Sequence, residues 1–291
     1  MKRFFSFAMA AVFGLSLVAP ALADDQEQQI GQQVYQQLQQ KGEIITNSPY
    51  YKILNPIAAR IAAVTNPQYD APFHFILVHE SAPNAFAVPG GNVYVTDSMM
   101  TFAKNKEELA GVLCHETAHT IHHDVMNLNA KQQRVDLGAG ILSAILGGGQ
   151  ITNMILGTGV QLVGARFSRT VEGQADQKGA TTCAQAGINP WGMVWLFKQF
   201  EAAPTSKPPE ALSDHPTDEH RVSDLENEFA RDPSLFGKYS DNVATATPMD
   251  APGFRSDVRT QAYRKAARQT LSNVRHRKTA KKSSSHYCCG G

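Results

Sequence analysis

Cysteine is scarce, four in 291 residues, and none stands directly after the N-terminal apolar run from Phe4 to Val18, which excludes a lipoprotein-type anchor at that point. The run is also too short for a comfortable membrane span. With Lys2 and Arg3 before it and Ala21-Leu22-Ala23 after it, the run has the form of a secretory signal peptide, residues 1–23, cleaved after Ala23. An exported, periplasmic protein is therefore the expectation, and nucleic acid is not an expected partner. No internal repeat of roughly 20–50 residues is present, which argues against an appended helical-repeat array. Residues 137–165 lack any charged side chain. Net charge is also nearly absent, +1 overall, but the balance hides a division: residues 24–251 carry 15 basic against 25 acidic side chains, and residues 252–291 carry 10 against 1. The second segment reads as a basic tail, disordered at least from Thr279, able to dock on the acidic body or on anionic lipid.

Against these absences stands His115-Glu116-Thr117-Ala118-His119, inside a stretch from Glu107 to Asp124 whose apolar pattern is helical. Positions four apart share a helix face, so His115 and His119 can offer imidazole nitrogens to one metal while Glu116 sits beside a metal-activated water. Two buried histidines that merely satisfy each other are the plain alternative. A catalytic zinc needs a third protein ligand and one open position. Ser168 to Asp176 provides a candidate, since Glu172 and Asp176 lie one turn apart on a second helix running towards Cys183. Glu172 would ligate, and Asp176 could accept the free ring N–H of a ligating histidine. Taken alone, such an acidic pair is a solvated helix face.

These motifs together, with Asp214-His215-Pro216 and Arg221 following in order, resemble the HtpX-like zinc metallopeptidases, the family that includes the CAAX prenyl proteases. Upstream, Asn84-Ala85-Phe86-Ala87 and Pro89 to Val95 resemble that family's substrate-side strand, and the likeness runs from about residue 27 to about residue 230. It implies a two-His-one-Glu site holding one zinc ion on His115, His119 and Glu172. Glu116 would be the general base, Asp176 and Arg221 supporting residues, and polypeptides the substrate. His215 is open between three roles: oxyanion stabiliser, inhibitory fourth ligand, or ordinary loop histidine. Unfolded or misassembled envelope proteins are the substrates the likeness suggests. A zinc-binding, chaperone-like assembly factor is the alternative.

The expected fold is α+β, mainly helical: a zincin-like domain over residues 24–251 with a small sheet whose edge strand lies beside the HExxH helix. Ile30, Val34 and Leu38 mark one helix, and Leu54, Ile57, Ile61 and Val64 another. Phe73, Phe75 and Leu77 alternate with His74, Ile76 and Val78 as a strand, and the Pro89-Gly90-Gly91 turn leads to a second strand at Asn92, Val93, Tyr94 and Val95. Were that second strand an edge, an extended substrate could add to it, with Asn84 close by. A plain hairpin capping the core would look the same. The Gly-rich insertion 137–165 reads as an apolar cover for the cleft, a contact for a membrane face or hydrophobic substrate, or a buried helical pair. Cys114 reads as a small buried hydrophobe, a bridge to Cys183 stays open, and Cys288-Cys289 suits either an accessory metal or an exposed reactive pair.

Overall fold

A computed structural model describes residues 19–135, 167–202, 215 and 219–249. Residues 1–18 of the expected signal peptide, the insertion 137–165 and the tail 252–291 lie outside them. The elements below belong to one unit that ends at Ala246. Among the described residues, no helix is long and apolar enough to cross a membrane.

Helix α1 (Ala19–Lys41) runs through the expected cleavage position. Its stripe of Ile30, Val34 and Leu38 is fully buried and packs on Val78, Phe86, Val88 and Tyr94 of the sheet. Helix α2 (Tyr51–Thr65) buries Leu54, Ile57 and Ile61. The sheet has three strands, β1 (His74–Val78), β2 (Ala85–Val88) and β3 (Asn92–Thr96), in the order β1-β3-β2. Strand β3 pairs parallel with β1 and antiparallel with β2, with Phe86 directly opposite Tyr94 and their rings stacked at 5.0 Å.

This order corrects the sequence reading. Asn92 to Val95 form the central strand, with both backbone edges paired, and Val93, Tyr94 and Val95 are fully buried. They cannot accept an added strand; the edge facing the motif helix is β2. The physical reason is the turn between them. Gly90 and Gly91 take φ 91° and 90°, and a Cβ on Gly90 would stand 2.7 Å from the Glu27 carbonyl oxygen, so the tight hairpin seats against α1 and folds β2 to the outside.

Helix α3 (Asp97–Phe102) leads to α4 (Lys106–Ile121), the motif helix. Asn105 caps α4 by accepting the Glu108 N–H at 2.7 Å while its own amide donates to the Glu108 carboxylate at 2.8 Å, a reciprocal arrangement that satisfies otherwise orphaned donors. Every residue from Glu108 to Thr120 is buried, so α4 is the centre of the fold, with α2, β2, α6 (Arg169–Gln185) and α7 (Trp191–Glu201) around it. The expected single helix to Asp124 instead breaks after Ile121. His123 adopts φ 55°, and α5 (Asp124–Val135) starts in a new direction. Helices α8 (Glu219–Arg231) and α9 (Pro233–Phe236) complete the described unit. Cys114 of α4 and Cys183 of α6 are joined by a disulfide, with Cα atoms 6.0 Å apart.

Candidate metal centre

The motif spacing has its expected consequence: His115 and His119 project from one face of α4, and their Nε2 atoms lie 3.0 Å apart. Glu172 comes from α6, whose first turn Ser168 caps through the Val171 N–H. Its carboxylate reaches both rings, 3.5 Å from His115 Nε2 and 3.8 Å from His119 Nε2. His215 closes the group, with Nδ1 2.9 Å from Glu172 Oε1 and 3.3 Å from His115 Nε2. One donor atom from each of these four residues lies within 4.8 Å of the others.

The outer ring nitrogens decide what this cluster can hold. His115 Nδ1 lies 2.9 Å from Asp176 Oδ1, and His119 Nδ1 lies 2.8 Å from Asp124 Oδ2. Each carboxylate can accept the Nδ1–H of its neighbour, and in neutral rings held that way the two Nε2 atoms face each other as acceptors. Lone pairs 3.0 Å apart repel unless something positive lies between them. Three imidazoles and one carboxylate form a donor set suited to zinc, and the residues fit a bound cation.

The electrostatics agree. Burial alone would lower His115, but the Asp176 and Glu172 carboxylates outweigh it and raise the ring to about 10, so without a cation a proton serves as the shared positive charge. Burial holds His119 well below 6.5, reinforced by the charges of His115 and His215. Glu172 is buried too, yet His215 and His115 drive its carboxyl far below the usual carboxylate range. Burial pushes Glu116 up and Asp124 up to about 6.

Glu116, one step round α4, is not among the four donors. Its Oε2 accepts the Ala87 N–H of β2 at 3.0 Å, and its Oε1 lies 3.5 Å from His215 Nε2. The Ala87 amide therefore points outward, away from β3, so the outer edge of β2 runs alongside the site. Asn84 precedes this strand and is buried, its N–H held by Thr96 Oγ1. Arg221 grips Asp176 with two donors at 2.7 Å, approaches Glu172 Oε2 at 3.0 Å and lies over the Phe197 ring at 4.4 Å. It also donates to the His215 carbonyl at 3.4 Å, which ties the histidine to the Glu172 helix.

Sequence reasoning missed Asp124, Phe167 and the Ala87 amide. Asp124 left a signal, as the first acidic residue after the motif, but only the left-handed corner at His123 turns it back to His119. Phe167, stacked on His119 at 4.4 Å, left none.

A helix presenting two histidines, a second helix presenting a carboxylate, and a strand edge beside a buried glutamate define a metallopeptidase-type centre. The chain belongs to Peptidase family M48, whose model matches residues 52–229. It is similar to the beta-barrel assembly-enhancing protease of Escherichia coli (strain K12), 27% identical over 257 residues that cover 78% of this chain and 52% of that protein. The protein of that name in Yersinia pestis is 29% identical, covering 71% and 44%. The mitochondrial metalloendopeptidase OMA1 of Schizosaccharomyces pombe (strain 972 / ATCC 24843) is 28% identical, covering 69% and 60%. The chain thus spans about half the length of the relatives it matches.

Proposed function

We propose that this chain is a zinc-dependent endopeptidase acting on polypeptides of the cell envelope after export. The observation that carries the reading is the convergence of the His115 and His119 Nε2 atoms with Glu172, with Asp176 and Asp124 beside the outer ring nitrogens. His115, His119 and Glu172 would hold the ion, which when bound supplies Lewis acidity towards water and the scissile carbonyl. Glu116 takes the proton from the attacking water and later delivers it to the leaving amine. Burial raises its pKa, which favours holding the proton between the two steps. Among the described residues no strand pairs the outer edge of β2, so an extended substrate would add there once the Ala87 N–H leaves Glu116, which favours unfolded chains over a particular side chain. The periplasmic setting rests on the signal-peptide pattern, and the envelope substrates on the relative named for beta-barrel assembly.

A second reading concerns the resting state. His215 Nδ1 sits within the donor cluster, and its Nε2 faces the base, so His215 occupies the position that an open catalytic site leaves to water. In this reading proteolysis is held back until His215 moves, and a zinc-bound, client-holding form is the resting protein. Casein cleavage with and without a chelator tests the main proposal. Cleavage abolished by chelator and restored by zinc is expected; cleavage untouched by metal removal would sink it. Client binding that survives Glu116→Gln would instead support the holding form.

A further inference from the structure

Glu27 stands outside the cluster but is tied to it by a short chain of contacts. It lies on α1 and is only 6% exposed. Its Oε1 is 2.7 Å from His123 Nδ1, and its Oε2 accepts from the Tyr69 hydroxyl, which in turn accepts the Gly90 N–H at 2.9 Å. A carboxylate taken from water costs several kcal/mol unless its oxygens are paired, and both are. His123 is the one non-glycine residue with positive φ among the described residues, and it immediately precedes Asp124, which holds His119 Nδ1. A left-handed side-chain-bearing residue is strained and persists only where its surroundings over-determine it. Glu27 provides that restraint from a helix packed closely on the β2–β3 turn, where Cβ atoms added at Gly31 and Gly90 would each stand 2.7 Å from a backbone oxygen.

We propose that Glu27 is a positioning residue for the metal centre. By holding His123 it fixes the corner between α4 and α5, sets Asp124 against His119, and so aims His119 Nε2. The inference rests on the four donors being a metal site and does not depend on peptide hydrolysis.

The test is the zinc dissociation constant of the full chain, measured by competition with a chromogenic chelator, with circular dichroism and thermal unfolding in parallel. Partners of metal-bound histidines contribute roughly 10–100-fold in affinity, so Glu27→Ala should weaken zinc by about 10-fold without loss of helix signal. Glu27→Gln, which keeps a hydrogen-bonding group towards both neighbours, should restore most of that loss. Tyr69→Phe removes the hydroxyl shared by Glu27 and the Gly90 N–H but keeps the Glu27–His123 contact, and should leave zinc affinity unchanged. His123→Ala keeps the strained backbone angle while cutting the link, and should match Glu27→Ala, whereas His123→Gly, which accepts that angle at little cost, should lose less. If Glu27→Ala does not fold, His123→Ala carries the decision. Unchanged zinc affinity in the folded variants would overturn the proposal, as would Tyr69→Phe weakening zinc as much as Glu27→Ala. A wild-type chain that takes up no zinc overturns this inference together with the metal-site reading, whereas zinc uptake without casein cleavage overturns only the enzymatic one.

Discussion

Glu116 and Glu172 are the same side chain, both buried, yet their surroundings drive them apart: burial raises the first, while His215 and His115 outweigh burial and depress the second. Titratable pairs pushed in opposite directions divide labour, one exchanging protons and one staying charged. Glu172→Ala should therefore lower zinc content and activity together, whereas Glu116→Gln should keep its zinc and lose about 10²–10⁴-fold in cleavage. Metal analysis of the purified variants checks this, and equal zinc in wild type and Glu172→Ala would remove Glu172 from the ligand set. His215 yields a sign. As a fourth ligand it competes with water, so His215→Ala should raise turnover of short peptides and modestly weaken zinc retention. A fall of about 100-fold at unchanged affinity would make it an oxyanion stabiliser instead.

At the scale of elements, the site depends on how closely α6 approaches α4. Gly179 permits it, since a Cβ there would stand 3.0 Å from the backbone N and Cα of His115, atoms that cannot move aside. Gly179→Ala should push the helices apart, separating Glu172 and Asp176 from His115. We expect it to cost about 1–3 kcal/mol and to weaken zinc binding. Gly173, on the same helix, has nothing within 4 Å of its added Cβ, so Gly173→Ala should gain up to about 1 kcal/mol from helix propensity alone. Denaturant unfolding of the two variants makes the comparison, and equal effects would show that packing at Gly179 does not set the site. Apolar spacing made α1 and α2 legible in the sequence, and the motif spacings placed α4 and α6, because both signals are local. The break at His123 and the strand order were not legible. A left-handed histidine has no compositional mark, and whether a strand is central depends on partners remote in the chain.

Over the whole molecule, the candidate ligands and the supporting Asp176 and Arg221 were readable from the motifs, while the other contacts around them were not: Asp124 needs the corner, Phe167 needs the fold, and Glu27 acts across 96 residues. The disulfide lay between these cases. Cys114 and Cys183 were visible, but only the packing of α4 on α6 brings them together, across 69 residues of sequence. That crosslink should stabilise the chain by about 4 kcal/mol in a loop-entropy account, holding together the two ligand-bearing helices even without metal. A folded metal-free form would then have a distinctive pH dependence. In it His115 is raised from 6.5 to about 10, so the folded state keeps a proton that the unfolded chain releases near 6.5. The resulting stabilisation is complete below about 6.5 and is lost as pH rises towards 10, at up to about 1.4 kcal/mol per pH unit. Glu172 and Asp176 are depressed, so their contribution is present above their ordinary values of 4.5 and 3.8 and changes only in acid. Chelator-treated protein should accordingly lose Tm steadily between pH 7 and 9, with no such slope in the zinc-loaded protein, where the cation replaces the proton between the two rings. Thermal unfolding of both forms across this range decides the matter; parallel curves would mean that the His115 proton does not stand in for a metal.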